Sequence, residues 1–275
     1  MKFCLISDLH VDHSPVDYSV FNNLSPECQT VVVAGDISND VFRTSTEIIK
    51  LKSYFPNVIW VAGNHCMYNT GFRRTRLYDS LEWERKWPYP TNVNEIYTHY
   101  ARWSHEHDIH FLHRNSVIVD GVEFVGVTGW HNFDGSVHLT QISQIDAWER
   151  YMSDSRWIEW ASDTAYQAVL EAARLDADYV AQAVTANSLP KVVVSHHIPH
   201  RQFTRFTNDV VWNLLNGSFV NTYMEAVADP SVVTWCYGHT HFREDQVLNG
   251  VRYINNARGY PGENGSWQPI EVEIA

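Results

Sequence analysis

Val31-Val32-Val33-Ala34-Gly35-Asp36 is the stretch on which the reading of this chain turns. Four apolar residues, three of them β-branched and none alternating with a polar partner, predict a strand covered on both faces. Gly35 lets the backbone bend where the strand stops. Asp36 is thereby delivered to the rim of a sheet, where α/β folds keep their ligand sites.

The same arrangement recurs along the chain. Lys2–Ser7 leads into Asp8-Leu9-His10, and Val58–Ala62 leads into Gly63-Asn64-His65. Lys191–Ser195 leads into His196-His197, and Val232–Tyr237 leads into Gly238-His239-Thr240-His241. Each apolar run finishes in residue types that bind metals. Their repetition at strand ends sets them apart from histidines scattered on a surface.

Composition narrows the function classes. With 275 residues the chain can bury a large core, and 44% hydrophobic with 19% charged residues is the profile of a soluble globular protein. No apolar run reaches the ~18–20 residues needed to span a bilayer. Met1-Lys2 enters a strand without the basic, apolar and small-residue regions of a signal peptide, so a cytoplasmic location is expected. The four cysteines, Cys4, Cys28, Cys66 and Cys236, form neither a pair nor a zinc-finger spacing, and no disulfide is expected. Twenty basic against 32 acidic residues gives a net charge of −12, which disfavours a nucleic-acid partner. Anionic small molecules remain compatible with it, because bound divalent cations reverse the local field.

The rest of the chain reads as one domain over 1–275 with a mostly helical insertion or cap around 138–187. Val41–Tyr54 predicts an amphipathic helix covering the sheet, capped by Asn39 or Asp40. Cys66–Pro90 is irregular and aromatic (Tyr68, Phe72, Tyr78, Trp83, Trp87, Tyr89) and carries Arg73, Arg74 and Arg76. It reads as a packed loop or as a phosphate-contacting lip. Asn94–His107 predicts a helix whose His105 and His107 do not share a face. Val117–Val119 and Val122–Val127 predict a hairpin turned at Asp120-Gly121, and Asn249-Gly250 predicts another. Thr128–Asp134 is read as a pocket wall beside the metals, with His131 supporting a metal ligand from behind or contacting substrate rather than binding metal itself. Trp148, Trp157 and Trp160 are read as packing.

Seven donor groups emerge: Asp8, His10, Asp36, Asn64, one of His196 and His197, His239 and His241. In extended backbone, residues i and i+2 face the same side, so Asp8 with His10, and His239 with His241, can converge. Carboxylate, imidazole and amide oxygen without thiolate suit Mn, Fe, Zn or Ni, with Mn the expected choice. Seven groups exceed the needs of one ion, so two are expected. Two ions ~3.5–4 Å apart, bridged by a carboxylate and a hydroxide, clamp an in-line displacement at phosphorus.

The blocks Asp8-x-His10, Gly35-Asp36, Gly63-Asn64-His65, His196 and Gly238-His239-x-His241, in this order, resemble the signature of the calcineurin-like metallophosphoesterases. The resemblance implies an α/β fold, a four-layer α/β/β/α sandwich of two mixed sheets with the metals at the strand C-termini. It assigns Asp8, His10 and His241 to one ion, Asn64, His196 and His239 to the other, and Asp36 to both. It makes His65 the residue that contacts the phosphoryl group and protonates or stabilises the leaving alkoxide. His197 and Arg258, like His131, are candidate substrate contacts. Two positions depart from the family pattern. Cys66 stands where many members have an acid, and Asn39 stands where the protein-Ser/Thr phosphatases have an aspartate, so the group that orients His65 is not named by sequence. The expected activity is hydrolysis of a phosphodiester or small phosphorylated metabolite. The alternatives are a metal-dependent nuclease and a silent scaffold of the same fold.

Overall fold

The computed structural model describes residues 1–68, 89–162, 164–227 and 229–274. The aromatic residues and arginines expected between Phe72 and Trp87 lie outside the described residues. Two sheets carry the fold. In the first, β1 (Lys2–Ile6), β2 (Thr30–Ala34), β3 (Asn57–Val61) and the short β4 (His110–Phe111) run parallel, and β11 (Ile270–Glu273) pairs antiparallel with β1. In the second, β6 (Val122–Gly126), β7 (Lys191–Val194), β8 (Val232–Tyr237) and β10 (Val251–Asn255) are parallel. β5 (Asn115–Val119) and β9 (Glu244–Leu248) close its two edges antiparallel. Both expected hairpins form, with Asp120 and Gly121, and Asn249 and Gly250, at positive φ.

The missing alternation in the strands has a simple cause. Val31 and Val33 of β2 pack outward into a core shared with α1 (Val41–Lys52) and α2 (Val93–Glu106), while Val32 and Ala34 pack inward between the sheets. Across that inner layer they meet Val192 and Val194 of β7 and Cys236 of β8. The far face of the second sheet, with Val193 and Trp235, is covered by Ala177, Val180 and Val184 of a long helix, α5 (Ala165–Thr185). The layers are therefore helix, sheet, sheet, helix. Each fully buried valine contributes roughly 1.5–3 kcal/mol.

Asp40 caps α1, its carboxylate accepting from the Arg43 N–H at 2.8 Å, and Asn92 caps α2 in the same way at 3.1 Å. Between Leu139 and Ala186 the chain forms α3 (Gln141–Tyr151), the single turn α4 (Asp154–Trp157) and α5. All four cysteines are buried free thiols, and burial pushes the Cys66 thiol up to about 12. No helix among the described residues is long and apolar enough to cross a membrane.

Strand register explains why the donors meet. Ile6, Val33 and Trp60 are neighbours across β1, β2 and β3, so these strands end level with one another. Val194 of β7 lies opposite Cys236 of β8 in the second sheet. Asp8, Asp36, Asn64, His196 and His239 all follow within a few residues of these aligned ends.

Candidate metal centre

The seven donors converge where the C-terminal edges of the two sheets meet. The ring nitrogens (Nε2) of His10 and His241 face each other at 3.0 Å, and His241 Nε2 lies 3.6 Å from Asp8 Oδ1. On the other side, Asn64 Oδ1 lies 3.0 Å from both His196 Nε2 and His239 Nδ1. Asp36 Oδ2 stands between the two groups, 3.3 Å from His196 and 3.9 Å from His10. Three overlapping sets of donor atoms, each mutually within 4.8 Å, form here: Asp8/His10/His241, His10/Asp36/His65 and Asp36/His196/His239.

The backbone is not extended at these residues, which changes the reason for their convergence. Asp8, His10, Asp36, His239 and His241 all have φ between 41° and 73°, in the left-handed region. Each such residue costs about 1–2 kcal/mol, and strain of this kind collects at functional sites. Links between the loops hold it in place. The Asp8 N–H donates to Gly35 O (3.0 Å) and the His10 N–H to Asp36 O (3.2 Å). The candidate carboxylates are tied as well, Asp8 Oδ1 accepting from the His239 N–H at 3.0 Å and Asp36 Oδ1 from the His65 N–H at 2.9 Å. Gly35 and Gly63 are required by this crowding. A Cβ at Gly63 would come within 2.1 Å of Asp36 Oδ1, and one at Gly35 within 2.3 Å of His196 Nδ1.

The arrangement fits cations. Asn64 gives its amide N–H to Asp154 (2.8 Å), which leaves its oxygen aimed at the histidines. The His196 Nδ1–H donates to Ala34 O at 2.9 Å and the His241 Nδ1–H to Glu263 at 2.6 Å, so both turn Nε2 into the centre. Burial holds His10 and His239 well below the ordinary imidazole range, in the neutral form that a ligand needs. Burial also opposes charge on His196, but Asp36, Asp8 and the Ala34 carbonyl together outweigh it and lift the ring to about 9. Burial acts on Asp36 in the opposite sense, yet His196, His65 and His10 bring its carboxyl well below the usual range. Two carboxylates, an amide oxygen and several ring nitrogens thus crowd one site, a donor set that divalent ions suit.

His65 sits beside the centre rather than within either end group. Its Nδ1–H donates to Asn39 Oδ1 at 2.6 Å. The partner that sequence left unnamed is therefore Asn39, the residue three beyond Asp36. Asp154 of α4, fully buried, accepts from Asn64 and from the Tyr68 hydroxyl (2.5 Å), and burial raises its carboxyl above the usual range. Sequence reasoning missed it, the only signal being a carboxylate among tryptophans in a segment read as packing.

The other expected contacts stand elsewhere. His197 is fully buried, its ring 4.3 Å from that of His239, with Nδ1 turned to Thr128 O at 3.4 Å. His131 is also fully buried, between Phe133 and His197, and burial drops it to about 3. The Arg258 guanidinium donates to Leu9 O, Ser14 O, Ser14 Oγ and Pro15 O, which pins the loop after β1. None of the three lines the cleft over the centre. That cleft, of about 820 Å³, has Asp36, Asn64, His65, His239 and His241 at its floor. Arg205, Trp212, Phe242, Arg243 and Tyr260 contribute to its walls.

Oxygen and imidazole donors gathered at the carboxyl ends of parallel strands, with one imidazole left over beside them, are the equipment of metal-dependent phosphoester hydrolases. This chain is of that class. Residues 1–243 match the family model for calcineurin-like phosphoesterases, and the chain belongs to that family. Uncharacterized protein L509 of Acanthamoeba polyphaga mimivirus is 21% identical over 284 residues, covering 96% of this chain and 93% of that protein. Phosphopantetheinyl hydrolase from Mycobacterium tuberculosis shares the fold with a TM-score of 0.77 at 18% identity, covering 100% of this chain and 96% of that one. TT1561 of Thermus thermophilus shares it with a TM-score of 0.52 at 10% identity, covering 100% of this chain and 99% of that one.

Proposed function

We propose that this chain hydrolyses a phosphodiester or a small phosphorylated metabolite with two divalent ions, Mn being the favoured pair. Asp8, His10 and His241 would hold one ion, Asn64, His196 and His239 the other, and Asp36 both. The observation that carries the reading is Asp36, one carboxylate within 4 Å of a histidine from each group. When bound, such a pair supplies an acidified water and neutralises charge on the phosphoryl oxygens.

The protein's own residues do the rest. His65, fixed by Asn39 through Nδ1, keeps Nε2 at the cleft, where it hydrogen-bonds the phosphoryl group and serves the departing alkoxide. Arg205 lies over the Phe242 ring at 4.0 Å and pairs with Glu244, while Arg243 is exposed. Together with Trp212 they make one cleft wall both aromatic and cationic, in a chain of net charge −12. That wall suits an ester whose alcohol carries a planar or apolar part and a further negative charge.

The test is a panel of bis-p-nitrophenyl phosphate, p-nitrophenyl phosphate and cyclic nucleotides, assayed on chelator-stripped protein with Mn restored. A phosphopantetheine ester joins it because the Mycobacterium tuberculosis fold-mate is named for that chemistry. Turnover that vanishes on chelation and returns with Mn is the expected result. Protein that binds Mn and hydrolyses none of these compounds would instead be a scaffold. Mn-dependent degradation of single-stranded DNA, lost in Asp36→Asn, would move the assignment to a nuclease.

A further inference from the structure

The tail after β10 lies beyond the residues matched by the family model, yet it closes over the metal centre. The N–H groups of Arg258 and Gly259 donate to Ser7 O (2.9 Å) and Asp8 O (3.0 Å), which fixes this segment against the first ligand loop. Gly259 has φ of +73°, a conformation that a side chain would strain, and a Cβ there would come within 2.6 Å of Glu263 Oε2 and push that carboxylate aside. The next residue, Tyr260, is swung over the site. Its ring lies 4.5 Å from that of His10 and 4.8 Å from that of His241, and its hydroxyl is 3.4 Å from His65 Nε2. Glu263 Oε2 accepts from the Tyr260 N–H at 2.7 Å and from the His241 ring N–H at 2.6 Å. One carboxylate oxygen thus ties the tyrosine's backbone to a ligand of the first ion.

From this arrangement we infer that Tyr260 is a substrate-contacting residue whose hydroxyl donates, beside His65, to an oxygen of the bound phosphoryl group. Glu263 is the positioning residue that couples it to His241. The inference rests on the phosphoesterase reading above. The hydroxyl and His65 Nε2 both face the cleft and are close enough to hold one oxygen between them. Glu263 has a second effect, because a carboxylate on the outer N–H of a ligating imidazole makes its inner nitrogen a better donor.

The experiment uses the full chain loaded with Mn, with inorganic phosphate as the probe. Tyr260→Phe keeps the ring over His10 and removes the hydroxyl. It is expected to bind two Mn as before, to bind phosphate about 10-fold more weakly by calorimetry, and to lose about as much in kcat/KM on bis-p-nitrophenyl phosphate. Glu263→Gln is expected to weaken one Mn site by roughly 10–100-fold and spare the other, with the metal-free protein melting at an unchanged temperature. Wild-type phosphate affinity and turnover in Tyr260→Phe would overturn the substrate contact. Two wild-type Mn affinities in Glu263→Gln would overturn the coupling. Should the wild type bind Mn and phosphate but hydrolyse no ester, the phosphoesterase reading falls, while the phosphate affinity of Tyr260→Phe still decides whether that hydroxyl touches the anion.

Discussion

His241 is tied by a carboxylate that reaches in from the surface, whereas Asn64 and His196 are tied by groups of the interior. His241 keeps 14% of its side chain exposed and leans on Glu263, itself 44% exposed. Asn64 and His196 are essentially inaccessible, one held by the buried Asp154 and the other by the carbonyl of Ala34. His241 therefore depends on a tail loop with an anionic partner, and Asn64 and His196 on the packed interior. On the proposed two-ion reading, affinity at the two groups of donors can be adjusted separately, through different parts of the chain, although Asp36 stands between them. A surface loop can change without disturbing the core, while the buried set is fixed by the same packing that fixes the fold.

Mutation can probe this separation. The largest effect is expected from His65→Ala, which belongs to neither group: kcat should fall by roughly 10²–10⁴ while metal analysis still finds both ions. Loss of metal with activity would make His65 a ligand and erase the distinction. Asp154→Ala should come next. It frees the Asn64 amide to rotate and should weaken the buried Mn site by roughly 10–100-fold, read by calorimetric titration, with the Glu263-linked site unchanged. Equal weakening of both sites would show that the two halves are not separable. Asn39→Ala is the smallest, about 10-fold in kcat from one lost hydrogen bond, with Mn affinity intact in the same titration.

Much of the scaffold was legible because its signals are local. A run such as Val58–Val61 states its own strand, and branching without alternation states burial on both faces, which the two-sided packing of β2 explains. Asp40, one of the two caps read for its helix, announces it for an equally local reason, while the Asn92 cap two residues before the expected start of α2 went unread. The donor residues were legible too, since each follows its strand directly. What escaped were partners brought from far along the chain. Asp154 lies 90 residues from Asn64, and Glu263 lies 22 from His241, with no pattern linking either pair. In the tail the sequence pointed to Arg258, but the glycine between it and Tyr260 turns the chain by its positive φ. The arginine then faces the loop after β1, and the tyrosine faces the centre.

Residue order alone thus sets which atoms are available for binding, the succession in which they arrive, and the strands that carry them to one edge. How those atoms point is settled by the assembled fold: His196 inward and His197 away, Asn64 by its oxygen, His65 held by an amide, five donors in left-handed backbone. Residue type and strand propensity are properties of a few neighbouring positions. The direction of a side chain at a loop depends on dihedrals that contacts from other loops impose, and those contacts exist only once the two sheets have packed.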